Sequence, residues 1–231
     1  ELKIKMSENY DDLLKEKEEE LKKNFNSLLN KANDLSSYRK NIAKDIEKGI
    51  LKEAKDLDLS EIDFEIKFIN NEPKDMFDNT LFSPNGIDII DFYVSFNKGE
   101  PKLPLSKVIS GGEASRMMLA FKSYFVDKED INVMIFDEID TGVSGVTARK
   151  IGQKIKEISK KCQVILITHL AQVAAISDYE KKISKSLNDG RTMTSINDLS
   201  YDERVEEIAK MLSGDKISLY AIEHAKELLN N

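Results

Sequence analysis

Cysteine is almost missing from this 231-residue sequence: Cys162 is the only one, so an internal disulfide is excluded and a reducing compartment fits. Long apolar runs are missing too. None approaches the ~20 residues needed to cross a membrane, and no signal-peptide pattern is visible. Positive charge is not in excess, because 35 Lys and Arg face 42 Asp and Glu, for a formal charge of −7. That balance excludes a general electrostatic affinity for nucleic acid, so any DNA contact must be local or supplied by a partner. The phosphate-cradling string GxxxxGK[ST] does not occur; "GVSGVTARKIGQK" has glycines and a lysine but not the spacing. Proline is absent from residues 1–58, where glycine occurs once, at Gly49. The sequence begins on Glu1 rather than Met, and the expectation is a piece of a longer product.

What is present is charge on a helical frame. Charged residues make up 33% of the chain, and 40% hydrophobic residues are enough for one core. Residues 1–58 are rich in Lys, Glu and Leu, a composition that favours helix. Leu14, Leu21, Leu28, Leu35 and Ile42 recur every seven residues, with Phe25, Ala32 and Ile46 at the intervening positions of a heptad seam. Glu18 and Arg39 interrupt that second row. A coiled-coil arm looking for a partner strand fits best, because the opposite faces are nearly all charged. The alternative is an amphipathic helix packed on its own domain.

From Ile62 the period changes. "FEIKFI" alternates, "IDIIDFYVSF" (87–96) does so less cleanly, and the turn signal "SPNG" lies between them, so both read as antiparallel strands. "KGEPKLP" reads as a loop, and "SGGEASRMMLAFKSYFV" (110–126) as a helix opened by Ser110. The pattern then predicts strand 131–137, helix 144–161, strand 163–168 and a short helix 170–176. "YEKKISKS" and "RTMTSI" flank "LNDG" as a hairpin, and two helices close the chain near 201–212 and 217–229. Strand, helix and strand in the middle make a parallel βαβ unit.

The chemistry concentrates in "VMIFDEIDTG" (133–142), where an apolar strand runs into the adjacent carboxylates Asp137 and Glu138. Alone, such a pair also caps helices or meets water. Likewise "SGGE" can be a glycine-containing helix start, and "VILITH" a core strand with His169 as a capping residue. Order changes the odds: SGGE opens a helix, that helix leads to a strand ending in Asp-Glu, and the next strand ends in His. In a parallel sheet these strand ends share one edge, where ligands of open α/β folds bind.

With those motifs in that order the sequence resembles the ABC-type ATPases, and among them the SMC-like group, in which a coiled coil separates two ATPase lobes. "SGGE" looks like the signature motif, "VMIFDE" like Walker B, "DTGVSG" like the D-loop and "ITH" like the switch histidine. "FSPNGIDIIDFYVSFNKGEP", "ISGGEASRMMLAFK" and "ITHLAQVAA" narrow the resemblance to the RecN family of bacterial DNA repair proteins, over roughly residues 60–231 and the helix before them. Ala114 stands where a larger apolar residue is usual, and Ala171 where Pro is expected.

The resemblance implies an α/β fold: the C-terminal lobe of an ABC/SMC-type head, residues 59–231, preceded by a coiled-coil return helix, residues 1–58. It implies ATP and Mg²⁺ as cofactors, with Asp137 on the metal and Glu138 as the base for the attacking water. His169 would sense the γ-phosphate. Ser110, Gly111, Gly112 and Glu113 would face the ATP of the opposite subunit, with Asp140 and Thr141 at the same dimer interface. The implied partners are DNA, a second copy through the heads, and an N-terminal lobe that carries the phosphate cradle and a partner helix. No membrane is implied, and the setting is the cytoplasm at the nucleoid. Without the cradle, the chain alone is expected to be inactive. Alternatives are another SMC-like chromosome-maintenance ATPase, or a non-catalytic coiled-coil module with a degenerate lobe.

Other residues have plainer expectations. Arg116 reads as a surface ion-pair former, with a contact to phosphate or DNA as the alternative, His224 as solvated and Cys162 as a small packing residue. Met117 and Met118 read as the buried side of the signature helix.

Overall fold

The computed structural model describes residues 2–69, 82–108, 111–137, 139–140, 142–143, 145–188, 191–214 and 216–230, without the side chains of residues 2–9 and 188. They form two compact units. The first comprises Glu1–Gly49, Asp63–Ser95 and Gly99–Lys107, and the second Ile50–Ile62, Phe96–Lys98 and Val108–Asn231.

Helix α1 (Leu2–Asp56) supplies the spine of the first unit. Its packed stripe is Ala32, Ser36 and Ala43, with Phe25 and Ile46 half-buried, a spacing of three and four that keeps one helical face inward. Against it in the same unit stands an antiparallel sheet in the order β1 (Asp63–Ile69), β2 (Ile89–Ser95), β3 (Leu103–Pro104). Phe64, Ile66 and Val94 are its buried face, and Glu47 of α1 accepts the Ile66 N–H at 2.7 Å. Register pairs Phe64 with Val94 and Ile66 with Phe92, so the alternation in both strands meets on one side.

Arg39, the residue that breaks the heptad row, donates from Nη1 to the Asn85 carbonyl at 2.8 Å and to Asp88 at 3.1 Å. Ser36 donates to the other oxygen of Asp88, whose side chain is 1% exposed. The interruption is therefore the anchor of the "SPNGID" turn. Gly86 has φ +98° there, and a Cβ would sit 3.2 Å from Leu35 Cδ2. Gly86→Ala is expected to lower stability by about 1–2 kcal/mol through left-handed strain, read as an earlier denaturation midpoint.

The heptad leucines themselves stay open. Leu14, Leu21, Leu28, Leu35 and Ile42 are 38–48% exposed. The helix thus uses one face at home and leaves a neighbouring apolar row uncovered among the described residues.

In the second unit α1 ends where Asp58, φ +63°, turns the chain and bonds Thr147 and Lys150 of helix α3 (Gly145–Ser159). Asp58 is held below the usual carboxylate range by Lys150 first and then by Thr147. Lys154 of α3, 9% exposed in its side chain, reaches Glu53 at 2.9 Å, Asp56 at 3.3 Å and Glu157 at 3.0 Å. Glu53 also accepts from Ser123 on α2 (Gly112–Phe125) at 2.7 Å, so one carboxylate links three helices. Burial pushes the Lys154 ammonium down, but its carboxylate partners outweigh that and leave it above its ordinary value.

Strands β4 (Val133–Asp137) and β5 (Gln163–Ile167) pair in parallel across α3, the expected βαβ unit. Ala148, Ile151, Ile155 and Ile158 form the buried stripe of α3. A short α4 (Ala171–Ala174) packs with α5 (Tyr201–Ser213) and α6 (Leu219–Leu229) through Ala171, Ala174, Val205, Ile208, Ala221 and Ala225. Between them the hairpin β6 (Lys181–Asn188) and β7 (Arg191–Asp198) runs in direct register. Arg204 of α5 holds the hairpin's base through Glu180 and the Ser177 carbonyl.

Two expectations need correction. Met118 is 49% exposed while Met117 is fully buried, because adjacent helical residues point about 100° apart and only one can join the inward stripe. "KGEPKLP" is not wholly loop, since Leu103 and Pro104 pair with Val94 and Tyr93. Pro104 is tolerated at the end of the short, terminal strand of the sheet, where no further ladder bond is needed.

Candidate functional site

The candidate site is the carboxyl end of the parallel pair. Asp137 lies opposite Ile167 in register, the last pair of the ladder. Paired residues of adjacent strands share a face, so Val133, Ile135, Asp137, Ile165 and Ile167 lie on one side. All five are exposed, Ile135 to 68%, whereas Met134 on the other side is buried. A parallel pair normally has both faces covered. Here the described residues cover one, and Asp137 stands at the rim of the open one.

Just past the strands, Asp140 is fully buried, with its side chain 0% exposed. Thr168 donates its hydroxyl to Asp140 Oδ2 and accepts the Leu170 N–H at 3.0 Å. Among the described residues Oδ1 of Asp140 has no hydrogen-bond partner, and His169 Nδ1 lies 3.7 Å from it. His169 is itself 69% exposed. Sequence reading places Asp140 in a loop at a dimer interface; within this chain its carboxylate is held by Thr168. Thr168 is a participant that sequence reading passed over, although it stands inside "ITH". Its signal was a hydroxyl at the strand end, next to a residue already singled out.

Gly111 is the N-cap of α2, with φ 166° and no side-chain cap. That is ordinary extended backbone, and a Cβ at Gly111 would meet nothing within 4 Å. Neither conformation nor packing inside this lobe requires glycine there. Gly112 and Glu113 form the first helical residues, Glu113 placing a carboxylate in the first turn. Ser110, Glu138 and Thr141 lie outside the described residues.

Arg116, on the same helix, makes no ion pair among the described residues, and its Nε is buried without a partner. Its charge adds a smaller lowering to Asp58. Among the described residues there is no group of three or more His, Cys, Asp or Glu placed to hold a metal, and no helix is long and apolar enough to cross a membrane. A cavity of about 230 Å³ lies elsewhere, against Tyr179, Glu180, Leu199, Tyr201 and Arg204 at the hairpin base.

No family model matches the chain. Among individual proteins, the DNA repair protein RecN of Halalkalibacterium halodurans is 42% identical over 95% of this chain. RecN of Bacillus subtilis is 40% identical over 98%. The chain is RecN-like. It spans 38% and 40% of the length of those two RecN proteins. A solved Smc head domain with a coiled coil and joint, from Pyrococcus yayanosii, matches 90% of the RecN-like chain and 37% of its own length, at 22% identity and a TM-score of 0.54. That likeness carries the fold: an α/β lobe of the SMC head type preceded by a long helix.

Proposed function

We propose that the chain is the C-terminal part of a RecN-type, ATP-dependent protein that repairs DNA double-strand breaks. Residues 1–58 serve as the return helix of a coiled-coil arm, and residues 59–231 as the ATPase lobe. The observation that carries the reading is identity of 40–42% to proteins named for DNA repair, running through the signature-like and Walker-B-like stretches.

The open apolar face supports a composite head. An uncovered patch such as Ile135, Ile165 and Ile167 is where another body packs. We assign that body to an N-terminal lobe bearing GxxxxGK[ST], whose phosphate cradle would then reach the rim where Asp137 stands. The open leucine row of α1 is assigned in the same way to the outgoing helix of the arm.

Asp137 fits Mg²⁺, since an exposed carboxylate oxygen is the hard donor this ion takes, with waters and phosphate filling its other positions. When bound, the ion offsets charge on the transferring phosphoryl group. Glu138 orients or deprotonates the attacking water. His169 hydrogen-bonds that water or the γ-phosphate. Ser110, Gly111, Gly112 and Glu113 present the start of α2 to the ATP of a second copy, where backbone N–H groups favour phosphate. The absence of any local need for glycine at Gly111 supports close approach by another molecule. Asp140 and Thr141 sit in the D-loop beside that junction. ATP clamps two heads, and hydrolysis releases them and moves the arms that gate DNA, in the cytoplasm at the nucleoid.

An ATPase assay with Mg²⁺ tests this reading. The 231-residue chain alone is expected to show no turnover, and a longer protein that includes GxxxxGK[ST] is expected to hydrolyse ATP. Hydrolysis by the chain alone, or none by the longer protein, contradicts it.

A further inference from the structure

We propose that Asp140 is a positioning residue that fixes the tautomer of His169, with Thr168 holding Asp140 in place. The proposal deepens the ATPase reading by giving His169 a defined free nitrogen, but its geometry stands apart from that reading.

The Thr168 hydroxyl has one proton. Because Oγ1 accepts the Leu170 N–H, its own proton is free for Asp140 Oδ2, and the two contacts fix the hydroxyl's direction. One carboxylate oxygen is thus satisfied from a strand end tied to backbone. The other, Oδ1, is buried and unpaired among the described residues, an arrangement native proteins rarely leave standing. His169 Nδ1 lies 3.7 Å from it, on a ring that is 69% exposed. Catalytic hydrogen bonds are commonly long before substrate arrives.

A carboxylate accepts only, so the bond requires the proton on Nδ1. The neutral ring then keeps a lone pair on Nε2, which can accept a proton from a water. If the ring takes up that proton, Nε2 becomes a donor to a phosphate oxygen, and the buried Asp140 charge offsets the imidazolium. A carboxylate orienting an imidazole in this way serves hydrolytic triads.

The test is nitrogen-15 NMR of the histidine-labelled chain, about two pH units above the ordinary histidine value of ~6.5, with His224 as the internal reference. His169 is expected to show mainly the Nδ1–H pattern. In Asp140→Asn the amide oxygen can keep the Thr168 bond while its NH₂ faces the ring, so the pattern should swap to Nε2–H with His224 unchanged. A dominant Nε2–H form in the native chain overturns the proposal, as does an unchanged tautomer in a folded Asp140→Asn. Should that variant not fold, the native spectrum alone decides. Failure of the ATPase reading would leave these spectra as they are, and an absent tautomer preference would leave ATP turnover by the longer protein intact.

Discussion

Glu138→Gln in the longer RecN-type protein is expected to lower ATP turnover by about 10²–10⁴-fold, the contribution of a positioned general base. Glutamine keeps the size and a hydrogen-bonding oxygen but cannot take a proton, so binding of ATP should survive the change. The protein should then accumulate as an ATP-bound dimer, visible as a doubled mass in sedimentation with Mg²⁺ and ATP. Unchanged turnover would remove Glu138 from the base role. A lobe that had lost catalysis would have no use for a second acid beside Asp137, so the presence of Glu138 speaks for a working site.

The second large effect concerns stability. Lys154→Met removes the cation shared by Glu53, Asp56 and Glu157, and Glu53 is only 20% exposed. Breaking a largely buried pair from one side costs about 3 kcal/mol, which should appear as an earlier urea midpoint for the chain. Adding Glu53→Gln should recover part of the loss, since the amide still accepts from Ser123 and leaves no uncompensated charge. Because the Lys154 value is raised, its contribution is fully present below the ordinary lysine value of about 10.5 and is lost only as pH rises through the raised value. The stability difference between native and Lys154→Met should therefore stay level from about pH 7 to 9. A difference that vanished by pH 9 would show that the cluster does not hold the three helices.

Much of this fold could be read from the sequence because period and position agree. The long α1, the alternating β1 and β2, the βαβ order and the terminal helices all follow from apolar spacing. Which apolar row finds a partner does not follow. Leu28 and Ala32 have equal claims by period, yet Ala32 is buried and Leu28 is 48% exposed, because only the sheet's position decides between neighbouring faces. Arg39 looked like a flaw in a seam and is the clamp on Asp88, a contact separated by 49 residues that no local pattern encodes. The parallel strand ends that set Asp137 beside Ile167, two residues before His169, were legible through the order of motifs. What stayed hidden was direction. Asp140 turns inward to Thr168, and whether a loop carboxylate faces a partner or its own strand end depends on a hydroxyl 28 residues away.

The central claim is that two copies share each ATP site, one giving Asp137 and the other giving Gly111. Mixing two defective versions of the longer protein, Asp137→Asn and Gly111→Asp, tests it most directly. If the sites are shared, each mixed dimer regains one intact site of two, and half of randomly paired dimers are mixed, so turnover should recover to roughly a quarter of the native rate. If the mixture stays as inactive as its components, both residues serve the same copy's ATP, and the account is contradicted.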